Sequence, residues 1–465
     1  MTVMIPHHER APRIGPGGRS RRLGRLRAPM PSLSVLNRLA FLGLIGWVIW
    51  ATTYLFPGAE LVIAIAIAAA AADLVLSGRA PDIGGSAGAW LLGFAAVALL
   101  TTGTSIWLGR SIAELRELAK LLLIFFLVLA TAGSPRRLRW LLTITVLLLV
   151  LFPARGAIAA YFSGGVKVSG RADWRGVFGN ANALAAILLL FLPFPYVWLK
   201  NERRSKYRLL WAGCFTLLAA AVIASKSRSG FLGLALIIVW SVWSARDRFR
   251  ALGIAVALAI VVLAFGPEGW RERMTTMTFG LTDRVAPKEA EGDIGNWTSR
   301  VVIWRTAASI IADRPITGTG LGTFEEAHKR YEAHSGWTGG QLWRDTHNSF
   351  LRVWAETGVF GLVAFLGMLG VIYSQGIRAL RRAKGSTARK RYETICLEAG
   401  LIGLSAFLVT NLFNTFNKIW FFYLSLGILV LLTRQCRMAV PRRMPAPASR
   451  RRITPSGRLA TAPRT

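Results

Sequence analysis

Charged residues are scarce in this chain, and the scarcity limits the class of protein it can be. Only 17% of the 465 residues are Asp, Glu, Lys or Arg, whereas 53% are hydrophobic. A soluble domain carries about 25% charged residues, and the mean hydropathy here is high, at +0.44. The composition excludes an ordinary soluble protein and predicts a chain that crosses a membrane several times.

Cysteines and acidic residues are also few. The three cysteines, Cys214, Cys396 and Cys436, lie in or beside apolar runs without paired spacing, so we expect neither a disulfide framework nor a zinc site. The 23 acidic residues leave 57 Lys and Arg largely unbalanced, for a net charge of +34. These basic residues cluster in the two tails and in short loops, as cytoplasmic segments do. We therefore predict anionic lipids at the cytoplasmic face, and not nucleic acid, as their partner.

Apolar runs of about 17–25 residues, long enough to cross a bilayer as helices, recur along the chain. We predict an all-α integral membrane protein with about twelve transmembrane helices. They lie near 34–56, 58–77, 88–108, 117–133, 139–161, 183–199, 208–225, 230–245, 250–266, 352–376, 395–413 and 417–434. The basic segments 1–31 and 435–465 are expected to be disordered tails. Helices one to nine then occupy 32–266, and helices ten to twelve occupy 351–434.

The charge of the connections predicts their orientation. With both termini in the cytoplasm, the basic loops at Arg79, 135–137, 200–204, 245–248 and 378–392 all fall inside. The opposite face then receives the shorter connections 109–116, 162–182 and 226–229, and one large loop domain, 267–350, between the ninth and tenth helices.

Two helices are predicted inside the large loop. Residues 298–312 space Val301, Trp304, Ala308 and Ile311 at helical intervals, which is typical of a helix lying on the membrane or on the bundle. Thr323 opens a second helix with capping-box spacing. We expect His328 and His334 on the solvated face of that helix.

His347 stands at the start of a long apolar run. A helix start provides free backbone N–H groups and a partial positive charge, which keep an imidazole neutral, as a proton acceptor must be. Taken alone, His347 is explained more simply as an interfacial histidine that caps the helix.

Two further polar stretches belong to the same face, 173–182 and 225–230. Charged residues this close to hydrocarbon mark function by default. Arg175 and Arg228 could grip phosphate oxygens through two hydrogen bonds each, although snorkelling at a helix end would also explain them. Gly176 and Gly179 would let backbone N–H groups approach the same anion.

Several short motifs appear in a characteristic order. They are Trp-Arg-Gly-Val-Phe-Gly-Asn-Ala-Asn-Ala-Leu at 174–184, Ser-Lys-Ser-Arg-Ser-Gly at 225–230, Arg-Val-Val-Ile-Trp at 300–304, Arg-Pro-Ile-Thr-Gly-Thr-Gly-Leu-Gly-Thr-Phe at 314–324, His-Asn-Ser-Phe-Leu at 347–351 and Glu-Thr-Gly at 356–358. Over residues 170–365 this pattern resembles the O-antigen ligase and O-antigen polymerase superfamily. It departs at Asn-Ala-Asn, 180–182, where many relatives have a proline or lysine between or beside the asparagines.

The resemblance implies glycan transfer at the periplasmic face of the bacterial inner membrane. The donor would be a glycan on a polyprenyl-pyrophosphate carrier, and the acceptor lipid A–core or a growing glycan. By this resemblance His347 matches the family's essential histidine, Arg175 and Arg228 its essential arginines, and Arg300 a further loop arginine. The supporting residues are Trp174, Asn180, Asn182, Ser227, Asn348 and Glu356; a helix cap is the simpler explanation of the two asparagines at 180 and 182.

The chemistry agrees with these assignments. Arginines can stabilise a leaving pyrophosphate without a metal ion or cofactor, and a neutral His347 can take the proton of the acceptor hydroxyl. Direct displacement would invert the anomeric centre. Two alternatives stay open: a polymerase that joins repeat units, which residues 174–178 favour, and a flippase for the same lipid-linked sugars. Transporters tend to contain internal repeats and ionisable groups at the midplane, and this sequence has no clear repeat.

Overall fold

The computed structural model describes residues 35–55, 58–164, 170–245, 247–250, 252–253, 256–257, 297–334, 344–384 and 391–439. These residues form helices and connecting segments, and no strand occurs among them. The predicted tail 1–31, nearly all of the predicted ninth span and the first part of the large loop lie outside the described residues. The second predicted tail is described only to residue 439, and that part is helical.

The first half of the described chain contains eight α-helices. They are α1 Val35–Thr53, α2 Ala59–Ser77, α3 Ser86–Thr102, α4 Leu108–Thr131, α5 Pro135–Leu149, α6 Arg155–Phe162, α7 Ala181–Phe191 and α8 Pro193–Asn201. A π-helical turn, Val150–Ala154, joins α5 to α6 without a break. It contains Pro153, whose missing N–H cannot continue the α-helical hydrogen bonds, so the wider turn accommodates it.

Seven more helices follow in the second half. They are α9 Ser205–Ala224, α10 Arg228–Trp243, α11 Trp297–Asp313, α12 Phe324–His334, α13 Ser349–Ala383, α14 Tyr392–Asn411 and α15 Trp420–Ala439.

Eight helical segments of the described chain are long and apolar enough to cross a membrane. They are α1, α2, α5 with α6, α7 with α8, α9, α13, α14 and α15. The shorter apolar helices α3 and α10 coincide with the third and eighth predicted spans, and α4 overlaps the fourth. The structure therefore confirms an all-α, multi-pass membrane protein. The number of twelve spans and the periplasmic placement of the loop stay predictions.

The centre of the bundle is formed by the segment α7 with α8 and by α15. In each, 83% of the most apolar stretch is buried inside the protein, against 17% for the peripheral α2. Small residues let the neighbouring helices approach closely: a side chain at Gly403 of α14 would collide with the backbone of Leu190, and one at Gly230 of α10 would meet Ala185 at 2.9 Å. The central helices position the connections at both ends.

Contacts between connections divide the bundle into two ends. At one end, Arg139 pairs with Glu393 at 2.7 Å, and Arg434 pairs with Asp82. This end carries the basic loops that the charge pattern predicts to be cytoplasmic. The opposite end, called the loop end here, joins 54–55, 58, 103–108, 162–164, 170–180, 225–227, 314–323, 344–348 and 412–419. The connections that the structure describes therefore alternate between the two ends in the predicted order.

A glycine kink in α13 receives the turn that precedes α12. Gly358 has φ of +65° within the helix, a conformation that favours glycine. Backbone groups of α13 at the kink form hydrogen bonds with this turn instead of with the helix: Thr319 N donates to Ala355 O at 2.9 Å, and Val359 N donates to Pro315 O at 2.8 Å. The kink therefore fixes the turn against the mouth of α13.

The first loop helix forms as predicted, but its buried stripe is only partly the predicted one. Ile311 is buried as predicted, together with Ile303, Ala307 and Ile310, whereas Val301 and Trp304 are half-buried and Ala308 is exposed. The reason is that α11 packs on α12 and α13 together, through side chains such as Phe324. The expectation that His328 lies on the solvated face of α12 is wrong. This residue is fully buried beside Phe324, with 5.9 Å between the centroids of the two rings. The side chain of His334 lies outside the described residues.

We expect Gly358→Ala to destabilise the protein. Its Cβ would collide with the backbone carbonyl of Ile316, and its φ would be strained, so the cost should be about 2 kcal/mol or more. Gly370→Ala in the same helix is the matched control, because nothing lies within 4 Å of its added Cβ, and there alanine should be neutral or slightly stabilising. Thermal unfolding in detergent measures both. Equal melting temperatures for the two variants would contradict this account of the kink.

Candidate active site

His347 directly precedes the N-cap of α13. The side chain of Asn348 caps the helix by accepting hydrogen bonds from Phe350 N at 3.0 Å and Leu351 N at 3.1 Å. His347 itself has φ of +47°, which is uncommon for a residue with a Cβ and marks a backbone held by its surroundings. The predicted helix start at His347 is therefore confirmed.

Thr346, the residue before His347, is anchored to two other elements. Trp304 of α11 donates its indole N–H to Thr346 O at 3.0 Å. The Thr346 hydroxyl is 3.1 Å from the Thr415 hydroxyl in the connection between α14 and α15. Thr346 is fully buried, so the residue before His347 has little freedom to move.

A buried guanidinium lies one turn into α13. Arg352, whose side chain is only 6% exposed, forms ion pairs with Asp345 at 2.8 Å, Glu325 at 2.9 Å and Glu356 at 2.8 Å. Glu356 also accepts the backbone N–H of Gly322 at 2.8 Å. Arg352 therefore ties the His347 loop to the start of α12 and to the turn at the kink. Sequence reasoning missed Arg352, although its four-residue spacing from Glu356 was a usable signal.

The surroundings of His347 keep its imidazole neutral. Burial lowers the pKa of His347; Asp345 acts in the opposite direction, and the positive charges of Arg300 and Arg344 lower the pKa further. The bond from the Trp304 indole to Thr346 O places the start of α11, which carries Arg300, beside the His347 loop. Two of the predicted site residues are thus brought together.

The turn before α10 presents Arg228. Ser227 caps α10 by accepting a hydrogen bond from Gly230 N at 3.2 Å. Lys226 is 5% exposed, with φ of +48°. Arg228 is the first residue of α10 and is half-buried. A guanidinium at this position lies beside the positive end of the helix dipole, which strengthens the local preference for an anion.

Hydrogen bonds join the Arg228 turn to the His347 loop. Asn414 donates from Nδ2 to the Ser229 hydroxyl at 2.8 Å. Its backbone carbonyl accepts from the Ser349 hydroxyl at 3.1 Å. Ser229 follows Arg228, and Ser349 is two residues beyond His347. The two predicted segments therefore meet through Asn414, which sequence reasoning also missed.

The Arg175 segment docks on the same turn. Ala172 N donates to Ala224 O at 3.0 Å. Arg171 donates to Ser225 O at 3.0 Å and to Asn182 Oδ1 at 2.6 Å. This bonding explains Asn182, and it holds the segment that carries Arg175 at the loop end.

Arg175 itself is exposed, with its guanidinium carbon 5.6 Å from the centroid of the Trp174 ring. The Trp174 ring lies directly on Gly156 of α6, where a Cβ would collide with it. Of the predicted cations, Arg175 is therefore the most accessible, and it stands on an aromatic side chain that is fixed against the bundle.

The prediction that backbone N–H groups around Gly176 and Gly179 bind an anion is wrong for residues 177–179. Their three N–H groups already have hydrogen-bond partners inside the protein. Val177 N donates to the Tyr54 hydroxyl at 3.0 Å, Phe178 N to Arg175 O at 3.3 Å, and Gly179 N to Gly176 O at 2.9 Å. Gly176 is required for another reason, since its φ is +60° and a Cβ would collide with the Tyr54 ring. Asn180 is the N-cap of α7 and accepts from Asn182 N at 2.8 Å.

Backbone strain is concentrated at the loop end. Among the described residues, the non-glycine residues with positive φ are Tyr54, Lys226 and His347, and each belongs to one of the connections described above. Such strain persists only where the surroundings over-determine it, as at functional sites. Within the same residues, no three His, Cys, Asp or Glu side chains are grouped so as to hold a metal ion. A reaction without metal or cofactor stays a prediction.

These features define a class: a multi-pass helical membrane protein with a cationic, histidine-bearing site at one end. Residues 212–366 match the family model described as O-antigen ligase. The match covers 155 of the 465 residues and confirms the resemblance drawn from the motifs. It includes Arg228, Arg300 and His347, but neither Arg175 nor Asn414. No curated protein gives a significant match.

Two substitutions should move the pKa of His347 in opposite directions. Arg344→Gln removes a cation that lowers this pKa, so the pKa should rise; Asp345→Asn removes the opposing anion, so the pKa should fall. The pH dependence of diethyl pyrocarbonate modification at His347, followed by mass spectrometry, measures both. A shift of the same sign in the two variants would contradict the electrostatic account.

Proposed function

We propose that this protein is an O-antigen ligase-like glycosyltransferase. It moves a glycan from a polyprenyl-pyrophosphate carrier to an acceptor hydroxyl, lipid A–core or a growing glycan, at the periplasmic face of the bacterial inner membrane. The observation that carries the proposal is the junction of the Arg228 turn with the His347 loop through Asn414. The family match over both segments supports it.

In this proposal the arginines receive the pyrophosphate. A guanidinium donates two parallel hydrogen bonds to phosphate oxygens, and its charge cannot be lost at physiological pH. Arg228 at the N-terminus of α10 and Arg300 in the first turn of α11 hold the diphosphate, and the exposed Arg175 adds a third cation. Their charges stabilise the negative charge that develops on the leaving group.

His347 acts as the general base. The acceptor oxygen attacks the anomeric carbon while the bond from that carbon to the pyrophosphate oxygen breaks, and the leaving oxygen keeps the electron pair. The acceptor proton passes to the neutral imidazole. Attack opposite the leaving group inverts the anomeric centre.

Donor binding strengthens the base. Arg300 lowers the pKa of His347 in the free protein. A diphosphate bound to Arg300 offsets that positive charge, so the pKa of His347 rises when the donor is in place. The imidazole is thus neutral before binding and more basic when the acceptor must lose its proton.

The supporting residues act mainly through the backbone. Ser227 and Asn348 cap the two helices that follow Arg228 and His347, and Glu356 holds the turn at the kink. Asn180 and Asn182 fix the segment that carries Arg175, and Trp174 supports its side chain. Substituting one of these residues should therefore displace the arginines or His347 without removing a positive charge.

We expect His347→Ala and Arg228→Ala to abolish surface glycan transfer. Loss of a general base or of one oxyanion-stabilising group costs about 100-fold or more in rate. Arg300→Ala should lower the rate similarly, whereas Arg305→Ala, an exposed arginine of the same helix, is the matched control and should remain active. The measurement is glycan transfer with defined donor and acceptor in detergent, at equal amounts of folded protein.

Full activity of both His347→Ala and Arg228→Ala would refute the proposed mechanism. Transfer by the wild-type protein in detergent, where no transmembrane gradient exists, would also exclude a pure flippase.

Gel profiles of a deletion strain separate a ligase from a polymerase. Loss of a ligase should leave long polymer attached to the polyprenyl carrier, because chain growth continues without transfer. Loss of a polymerase, the function that residues 174–178 favour, should leave single repeat units on the acceptor. We expect the first pattern; single repeats would decide for the polymerase.

A further inference from the structure

Three asparagines at intervals of three residues lie where α14 ends: Asn411 is the last residue of the helix, and Asn414 and Asn417 belong to the connection to α15. They are 1%, 4% and 8% exposed. Buried amides require hydrogen-bond partners, and leaving one unpaired is costly. This connection lies outside the region of the family match, residues 212–366. Its asparagines therefore raise the question of what they hold.

Asn414 uses its side chain and its backbone in different directions. Its Nδ2 donates to the Ser229 hydroxyl at 2.8 Å and to Thr410 O at 2.9 Å. Its backbone carbonyl accepts from the Ser349 hydroxyl at 3.1 Å. One residue thus contacts the first turns of both α10 and α13.

Ser349 receives further support from the end of α14 and from the connection. Its hydroxyl donates to Asn411 Oδ1 at 2.5 Å, so its single proton is shared between this oxygen and Asn414 O, and it accepts a hydrogen bond from Phe416 N at 3.0 Å. Ser349 is 1% exposed and Ser229 is 5% exposed. The whole junction is buried, where hydrogen bonds are strong and directional.

We propose that Asn414 is a positioning residue that sets the spacing between Arg228 and His347. This inference rests on the proposed function, because spacing matters only if the two side chains act on one reaction. Arg228 moves with Ser229, its neighbour at the start of α10, and His347 moves with Ser349 at the start of α13. A misplacement of about 1 Å between a base and a leaving-group clamp can cost about 100-fold in rate.

The role predicts a specific kinetic signature. Donor binding depends on the arginines, which the variants keep. The chemical step depends on the distance between those arginines and the His347 imidazole. Loss of the Asn414–Ser229 bond should therefore lower kcat and leave KM for the donor nearly unchanged. A residue needed only for folding would reduce the amount of folded protein without changing kcat per folded molecule.

The test uses Asn414→Leu, Ser229→Ala and the double variant. Leucine has the branching and the number of side-chain heavy atoms of asparagine but forms no hydrogen bond, and Ser229→Ala removes only one hydroxyl. We expect each single variant to lower kcat by about 10- to 100-fold, with KM for the polyprenyl-pyrophosphate donor changed by less than about threefold. The double variant should be no slower than the slower single variant, because both remove the same bond.

Matched controls come from the opposite half of the bundle. Asn201→Leu removes the bond from Asn201 Nδ2 to Val197 O, 2.7 Å, which resembles the bond of Asn414 to Thr410 O. Ser241→Ala removes the bond from the Ser241 hydroxyl to Ile237 O, 2.8 Å, in the same helix as Ser229. Both controls should keep wild-type kcat.

The outcomes separate this inference from the proposed function. If His347→Ala and Arg228→Ala are inactive while Ser229→Ala and Asn414→Leu keep wild-type kcat, the positioning role is refuted and the proposed function stands. If His347→Ala and Arg228→Ala are active, the proposed function fails first. Should Asn414→Leu not fold, Ser229→Ala decides alone: normal kcat refutes the positioning role. If the losses in kcat of the two single variants added up in the double variant, Asn414 and Ser229 would not act through one shared hydrogen bond, and the positioning role would also be refuted.

Discussion

One buried guanidinium holds the loop end of this protein together. Arg352 lies at the mouth of α13 and pairs with three carboxylates that come from the His347 loop, from α12 and from α13 itself. Replacing a complete buried ion cluster by apolar side chains can be neutral in stability, whereas removing a single partner costs about 3–5 kcal/mol. We infer that Arg352 contributes more to the specificity of the arrangement than to stability, because it pairs at once with carboxylates from the His347 loop, α12 and α13.

The contacts at the loop end offset the energetic cost of a strained backbone. His347 and Lys226 both adopt the left-handed conformation, which is unfavourable for residues with a Cβ. Around His347 the offsetting interactions are the cap by Asn348, the anchor at Thr346 and the ion pair of Asp345 with Arg352. A loop held in this way loses little entropy when substrates bind. The apolar bundle beneath the loop end buries the polar contacts of the loop end, and burial makes these contacts directional.

The sequence predicted the bundle well because membrane spans have a strong, local signal. Apolar length alone located both ends of α1 and α2, and the start of α13, within three residues, and the predicted cap at Asn180 is local chemistry. The features it missed depend on contacts between distant segments. Arg352 lies next to an apolar run and resembles a snorkelling residue until its three partners are known. Gly176 looked like part of an anion nest, whereas its conformation serves the ring of Tyr54, more than a hundred residues away. His328 looked solvated because α12 is polar, but the helix turns that residue into the packing with α11.

The same reasoning explains why a site for a highly charged donor can exist beside hydrocarbon. Arginines near His347 would repel one another without counter-charges, but the carboxylates of Asp345, Glu325 and Glu356 lie at the same end of the bundle. These three carboxylates pair with the single guanidinium of Arg352, so the cluster carries a net negative charge that offsets part of the positive charge of the loop end. In the proposed function, an arriving diphosphate completes the charge balance at the arginines and thereby raises the basicity of His347. Binding and proton transfer are then coupled through electrostatics alone, and no large rearrangement of the bundle is required.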